Sequence, residues 1–167
     1  MTSTKKSRIA AYFPTPAADT RTAPAGMAQG TKVLTLDGAL PVEFLTPGDR
    51  VITRDAGVQT LRAISAQAST AAMIRICQNS LGNGRPGDDI VISADQPILV
   101  RDWRAKVLYG QAQAMVPASR LVDGQYIRAE PASATMQLFT LHFDAQHVIY
   151  AEGMELVSAP ALVHVSA

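Results

Sequence analysis

Between Gly30 and Arg54 the chain sets turn-forming pairs among short apolar runs, and this most constrains what it can fold into. The stretch reads Gly30-Thr31-Lys32-Val33-Leu34-Thr35-Leu36-Asp37-Gly38, then Leu40-Pro41-Val42-Glu43-Phe44-Leu45, then Thr46-Pro47-Gly48-Asp49-Arg50-Val51-Ile52-Thr53-Arg54. Asp37-Gly38 offers two residues that tolerate the positive φ angles of a two-residue hairpin. Pro47-Gly48 sets a fixed φ beside a residue that accepts φ above zero, which predicts a type II turn. The run is therefore expected as strand, turn, strand, turn, strand.

Short strand-like runs continue at intervals of about ten residues, the spacing of an all-β sandwich or barrel-like system. They cover Val58 to Ile64, Ala72 to Cys77, Ile90 to Ser93, Pro97 to Arg101, Lys106 to Tyr109, Gln125 to Arg128, Met136 to Phe143 and His147 to Ala151. Pro117 to Val122, with Pro at its first position, is the one expected helical piece, a turn or two long. Gly82-Asn83-Gly84 lacks the third glycine and the following helix of a dinucleotide site, so it reads as a loop. Residues 1–25 are rich in Pro, Thr, Ser and Ala and are expected as a flexible N-terminal extension. One domain is expected over 26–160 and a tail over 161–167.

Composition narrows the function classes. Fifteen Lys and Arg against 14 Asp and Glu leave a formal charge of +1, too small a field to draw nucleic acid or an anionic membrane. No apolar run approaches the roughly 20 residues of a membrane span. Cys77 is the single cysteine, which excludes an internal disulfide. The expectation is a soluble, cytoplasmic monomer with no cofactor, whose partner, if any, is an unidentified protein.

The residues of the Gly30–Arg54 stretch resemble the opening of the Hint (Hedgehog/intein) module, in its compact bacterial variety. The resemblance implies an all-β, pseudo-symmetric fold of short strands and hairpins with at most one or two helical turns. It also implies a self-processing site, and here the chain departs from the family. A Cys nucleophile would stand four residues before Gly30, and Gly26 occupies that position. The mid-module Ser/Thr-x-x-His block stands as Ser93-Ala94-Asp95-Gln96, with Gln96 in place of the proton-donating His. The late Asp-Arg-His-Glu-Val-Ile run stands as Asp144-Ala145-Gln146-His147-Val148-Ile149, again with Gln146 in place of His. Inteins finish on Asn, and the asparagines here, Asn79 and Asn83, lie mid-chain. Thr31, Ser93 and Asp144 still match the family.

Amide-to-ester conversion needs an activated nucleophile, a proton donor with pKa near 7 and oxyanion donors. Gly26 supplies no nucleophile, and a glutamine amide carries no transferable proton near neutral pH. No catalytic residue is therefore expected, and the function expected is a binding or adaptor module that has lost autoprocessing. The alternative is a residual self-cleaving or hydrolytic enzyme using Ser93, Asp95, His142 or His147. His142, Asp144 and His147 also form a weak two-His-one-carboxylate metal pattern; ordinary hydrogen-bonded roles outweigh it. Cys77 is expected as a small buried hydrophobe, and Trp103 and Tyr109 as packing residues flanking a hairpin.

Overall fold

A computed structural model describes residues 25–70, 72–131 and 135–159. The expected extension over 1–25, apart from Ala25, and the tail over 161–167 lie outside the described residues. The body is all-β. In chain order the strands are β1 (Met27–Ala28), β2 (Lys32–Thr35), β3 (Gly38–Pro41), β4 (Arg50–Thr53), β5 (Gly57–Thr60), β6 (Ala63–Ser69), β7 (Met73–Ile76), β8 (Ile90–Ser93), β9 (Pro97–Val100), β10 (Ala114–Pro117), β11 (Ile127–Ala129), β12 (Met136–His142), β13 (Val148–Ala151) and β14 (Met154–Val157). They form a six-stranded sheet in the order β11-β7-β8-β1-β12-β6 and a second sheet in the order β10-β9-β14-β13-β2-β4-β5, with β3 on β2.

The opening turns follow from local chemistry, with one correction. At the first hairpin Thr35 pairs with Gly38, so Leu36 and Asp37 form the tip and only Gly38 takes a positive φ, +103°. The Thr35 hydroxyl stiffens this turn, donating to the Gly38 oxygen at 2.8 Å and accepting from the Asp37 amide at 3.1 Å. At the second, Asp49 N–H donates to the Thr46 oxygen at 3.1 Å and Gly48 lies at +100°, the type II geometry that Pro47-Gly48 predicts.

The expected strand over Val58–Ile64 divides in two because the chain changes sheets there. Leu61 N–H donates to the Asp49 oxygen, while the next amide, Arg62, donates to the His142 oxygen in the other sheet. Lys106–Tyr109 is helical rather than a strand, as part of α1 (Trp103–Tyr109). The Asp102 carboxylate caps it by accepting from the Arg104 amide at 2.9 Å, and Gly110 ends it at φ +67°. An Asp start and a Gly stop are helix signals, and here they outrank the apolar Val107-Leu108-Tyr109 run between them. The helical piece at 117–122 is a 3-10 turn over Ala118–Leu121.

The core lies between the sheets. Ile74, Ile76, Ile90, Ile92, Leu141, Ile149, Met154 and Leu156 are among its buried members. β8 and β14 are buried at every position, so both strands are covered on both faces and pass through the centre. Among the described residues no helix is long and apolar enough to cross a membrane.

Candidate functional site

The first and last described residues meet on one strand. The Thr140 hydroxyl of β12 donates to the Ala25 oxygen at 2.7 Å, and the Ala159 amide donates to the oxygen of the next residue, Leu141, at 3.3 Å. β12 therefore holds both ends of the body at adjacent positions. This is the closeness of ends that a self-processing module requires.

At the incoming end, Gly26 is buried against β12. Its oxygen accepts from the Ser93 amide at 3.0 Å. A Cβ at residue 26 would meet the Phe139 oxygen at 3.0 Å, Thr140 Oγ1 at 3.1 Å and Leu138 Cβ at 3.3 Å. A side chain at residue 26 would thus begin in tight contact with β12, whose atoms would have to give by a few tenths of an ångström.

At the outgoing end, both glutamines grip the chain. Gln96 is 3% exposed, and its amide Nε2 donates to the Val157 oxygen at 2.8 Å and to the Pro97 oxygen at 2.9 Å. Gln146 Nε2 donates to the next carbonyl, Ser158, at 3.1 Å. Ser158 is also tied to His147, whose amide donates to Ser158 Oγ at 2.9 Å and whose oxygen accepts from the Ser158 amide at 2.8 Å. Side chains standing where the resemblance implies proton donors serve as main-chain clamps.

The other singled-out residues do not assemble into a reactive cluster. Ser93 is fully buried, and its hydroxyl accepts from the Asp95 amide at 3.4 Å. Thr31 is buried and donates to the Ala28 oxygen at 2.8 Å, closing a turn. The pattern His142, Asp144, His147 does not converge, because each residue has a different partner. His142 Nε2 lies 2.5 Å from Ser65 Oγ. Asp144 is exposed and pairs with Arg62 at 3.0 Å. His147 Nδ1 lies 2.8 Å from Asp55 Oδ2. Among the described residues no group of three or more His, Cys, Asp or Glu is placed to hold a metal ion.

Two of these histidines carry electrostatic consequences. Burial alone would push the Asp55 carboxyl up, but the hydrogen bond from His147, the Val148 amide and the attraction to His147 together hold it below the usual carboxylate range. Burial lowers the pKa of His142, and its Nδ1 is buried with no partner among the described residues. An orphaned buried N–H costs more than a bare lone pair, so the proton sits on Nε2 and donates to Ser65. In that tautomer His142 is not a base for the Ser65 hydroxyl.

Two further expectations are corrected. Trp103 is 63% exposed and Tyr109 lies on the same helix at 42%, so neither is a packing residue; the Arg104 guanidinium covers the Trp103 ring at 4.8 Å from its centroid. Cys77 is only part-buried. Sequence reasoning missed Thr140 and Asp55. Asp55 is marked in the sequence as the opening of an Asp-Ala-Gly turn, although its pairing with His147 is not; nothing in the letters around Thr140 marks it.

A family model described as "Hint domain" matches residues 25–160. No curated protein matches the chain. Among solved structures, the bacterial intein-like domain from Clostridium thermocellum is 18% identical, with 83% of this chain and 100% of that chain covered and a TM-score of 0.59. The gp41-1 intein is 12% identical, with 80% and 98% covered and a TM-score of 0.55. The MchDnaB-1 intein is 14% identical, with 80% and 99% covered and a TM-score of 0.52. At these identities the structural likeness speaks for the fold.

Proposed function

The chain belongs to the Hint domain family, and from that premise we propose that it is a non-processing member, an adaptor that holds its two flanking segments side by side. The observation that carries this reading is the double clamp: Gln96 and Gln146 each donate to a carbonyl at the outgoing end, Val157 at the close of β14 and Ser158 just after it. A side chain so engaged stabilises the fold and transfers no proton. Opposite it, Gly26 has no side chain to attack the Ala25 carbonyl, whose oxygen is held by Thr140. Both steps of an acyl shift lack their agent, and general acid–base help alone contributes about 10² or more where it operates. The family's joining of ends is kept and put to a binding use. With a single cysteine and no disulfide to form, the cytoplasm suits such a module.

Incubation of the purified full chain with and without dithiothreitol or hydroxylamine, followed by intact-mass measurement, tests the reading. One unchanged mass is expected under all conditions. A nucleophile-dependent fragment beginning at Gly26 would overturn it.

A further inference from the structure

Among the described residues, the outer strand of the six-stranded sheet carries no Lys, no Pro and no other charged residue of the kind that keeps sheet edges apart. β6 pairs with β12 along its whole length, from Ala63↔His142 to Ser69↔Met136, and ends the strand order on that side. Such an edge presents alternate N–H and C=O groups to whatever approaches. Natural edges are blunted by Lys, by Pro, by inward-pointing charge or by shortness. β6 is seven residues long, and no charged residue and no proline occurs from Ala63 to Ile74.

Its side chains do not obstruct an approach either. Ser65, Ala66, Gln67 and Ala68 are four consecutive exposed residues, so this part of the strand stands clear of the core on both faces. Three of the four are small. The hydroxyl of Ser65 is held back toward β12 by His142, at 2.5 Å, which keeps it off the open edge.

We propose that β6 is a pairing edge for a second copy of this chain, joined antiparallel to its own β6 across a two-fold axis near Gln67. The charge pattern selects this occupant. On a two-fold axis every residue near the centre faces itself or its close neighbour, so any charge there would meet its like, and like charges directly opposite destabilise strand pairs. A strand that binds a foreign peptide has no such constraint, whereas this one is neutral throughout. Two-fold pairing is self-complementary and closes after two copies. It joins two six-stranded sheets into one and sets the Gln67 amides near each other, where they can exchange hydrogen bonds. The chain thereby departs from the monomer that the sequence alone suggests.

Sedimentation equilibrium of the full chain over a wide concentration range tests the proposal, with Gln67→Lys and Ala68→Lys as exposed variants whose folding is checked by thermal melting. The wild type is expected to move from one chain mass toward two as concentration rises. Each Lys variant is expected to dimerise about tenfold or more weakly, since like charges brought together across the axis repel, and to recover in part at high salt. Hydrogen exchange of the 63–69 peptide provides a second measure that needs no variant, with protection expected to rise with concentration. A wild type that stays at one chain mass throughout overturns the proposal. So does a dimer that both Lys variants leave unweakened, or exchange at 63–69 that is indifferent to concentration; capture of a foreign strand by a monomeric wild type does the same.

Discussion

The side-chain amide of Gln96 donates both its hydrogens to main-chain oxygens, one to Pro97 at 2.9 Å and one to Val157 at 2.8 Å. Strand register makes this possible. Gln96 follows β8 and immediately precedes β9, and β9 pairs with β14 at Ile98↔Leu156, so a side chain at 96 reaches the last residue of β14. Its own amide donates to the Ser93 oxygen at 3.0 Å, which turns the side chain inward.

Truncating this amide should therefore cost more than its own hydrogen bonds. Gln96→Ala leaves the Val157 oxygen buried without its partner, and an unsatisfied buried group costs about 1–3 kcal/mol. Urea unfolding should show a lower midpoint at unchanged slope. Gln96→His should also be destabilising, because a neutral imidazole has one N–H to offer where Gln96 uses two. A variant as stable as wild type in both cases would show that the clamp is incidental.

A side chain at position 26 should be resisted. The nearest atom to a Cβ there is the Phe139 oxygen at 3.0 Å, which belongs to a backbone pinned within the six-stranded sheet and cannot rotate away. Overpacking of this kind costs about 1–3 kcal/mol. Gly26→Ala is expected to lower the denaturation midpoint and to raise hydrogen exchange around Met27 and Phe139, whose residues pair across β1 and β12. An Ala variant with wild-type stability would show that β12 gives way.

Much of the fold was legible because its turns are written in residues with few conformational options. Pro47-Gly48 announces its turn, and the alternation of apolar runs announces sheets. Less was legible where the chain obeys tertiary rather than local demands. The Val58–Ile64 run looks continuous, yet Leu61 and Arg62 send their amides to different sheets. Lys106–Tyr109 has strand-like letters, and only its flanking Asp102 and Gly110 betray a helix. At the site, the positions of Gln96 and Gln146 could be placed by resemblance, but not what they do. Their partners are carbonyls, which every residue has, so no side-chain pattern points to Val157 or Ser158. Asp144 keeps a family letter and yet lies at the surface on Arg62.

Acid should act on this domain in two stages. His142 has a folded pKa below its ordinary 6.5 because it is partly buried. Between those two values the unfolded chain binds a proton that the folded one refuses, so stability falls as pH drops below about 6.5. Asp55 has a folded pKa below its ordinary 3.8, so its contribution is present above that value and is lost as pH falls through the folded one. Melting temperature against pH should show both declines. His142→Gln should flatten the first, and Asp55→Asn should reduce the second, to which Asp123, held below its ordinary 3.8 by the Ile127 amide, also contributes; a first decline unaltered by His142→Gln would assign it to another group.

The last prediction concerns the carboxylate of Glu155, of which only 2% of the side chain is exposed. Arg101 forks onto it, with Nε 2.8 Å from Oε2 and Nη2 on Oε1, and Arg54 Nε lies 3.3 Å from Oε1. The three residues are unequal: about a third of each guanidinium side chain reaches solvent, so either arginine can hydrate if its partner is lost, whereas the carboxylate cannot. Breaking a buried pair from one side costs about 3–5 kcal/mol when it strands a charge. Arg101→Ala should approach the lower end of that range, with Arg54 still in place to moderate it. Glu155→Leu, which removes the buried charge and leaves two solvated arginines in a largely apolar setting, should cost less. Equilibrium unfolding of both variants and of the double replacement would establish the order, and a larger loss from Glu155→Leu than from Arg101→Ala would show that the carboxylate organises β14 rather than merely being neutralised there.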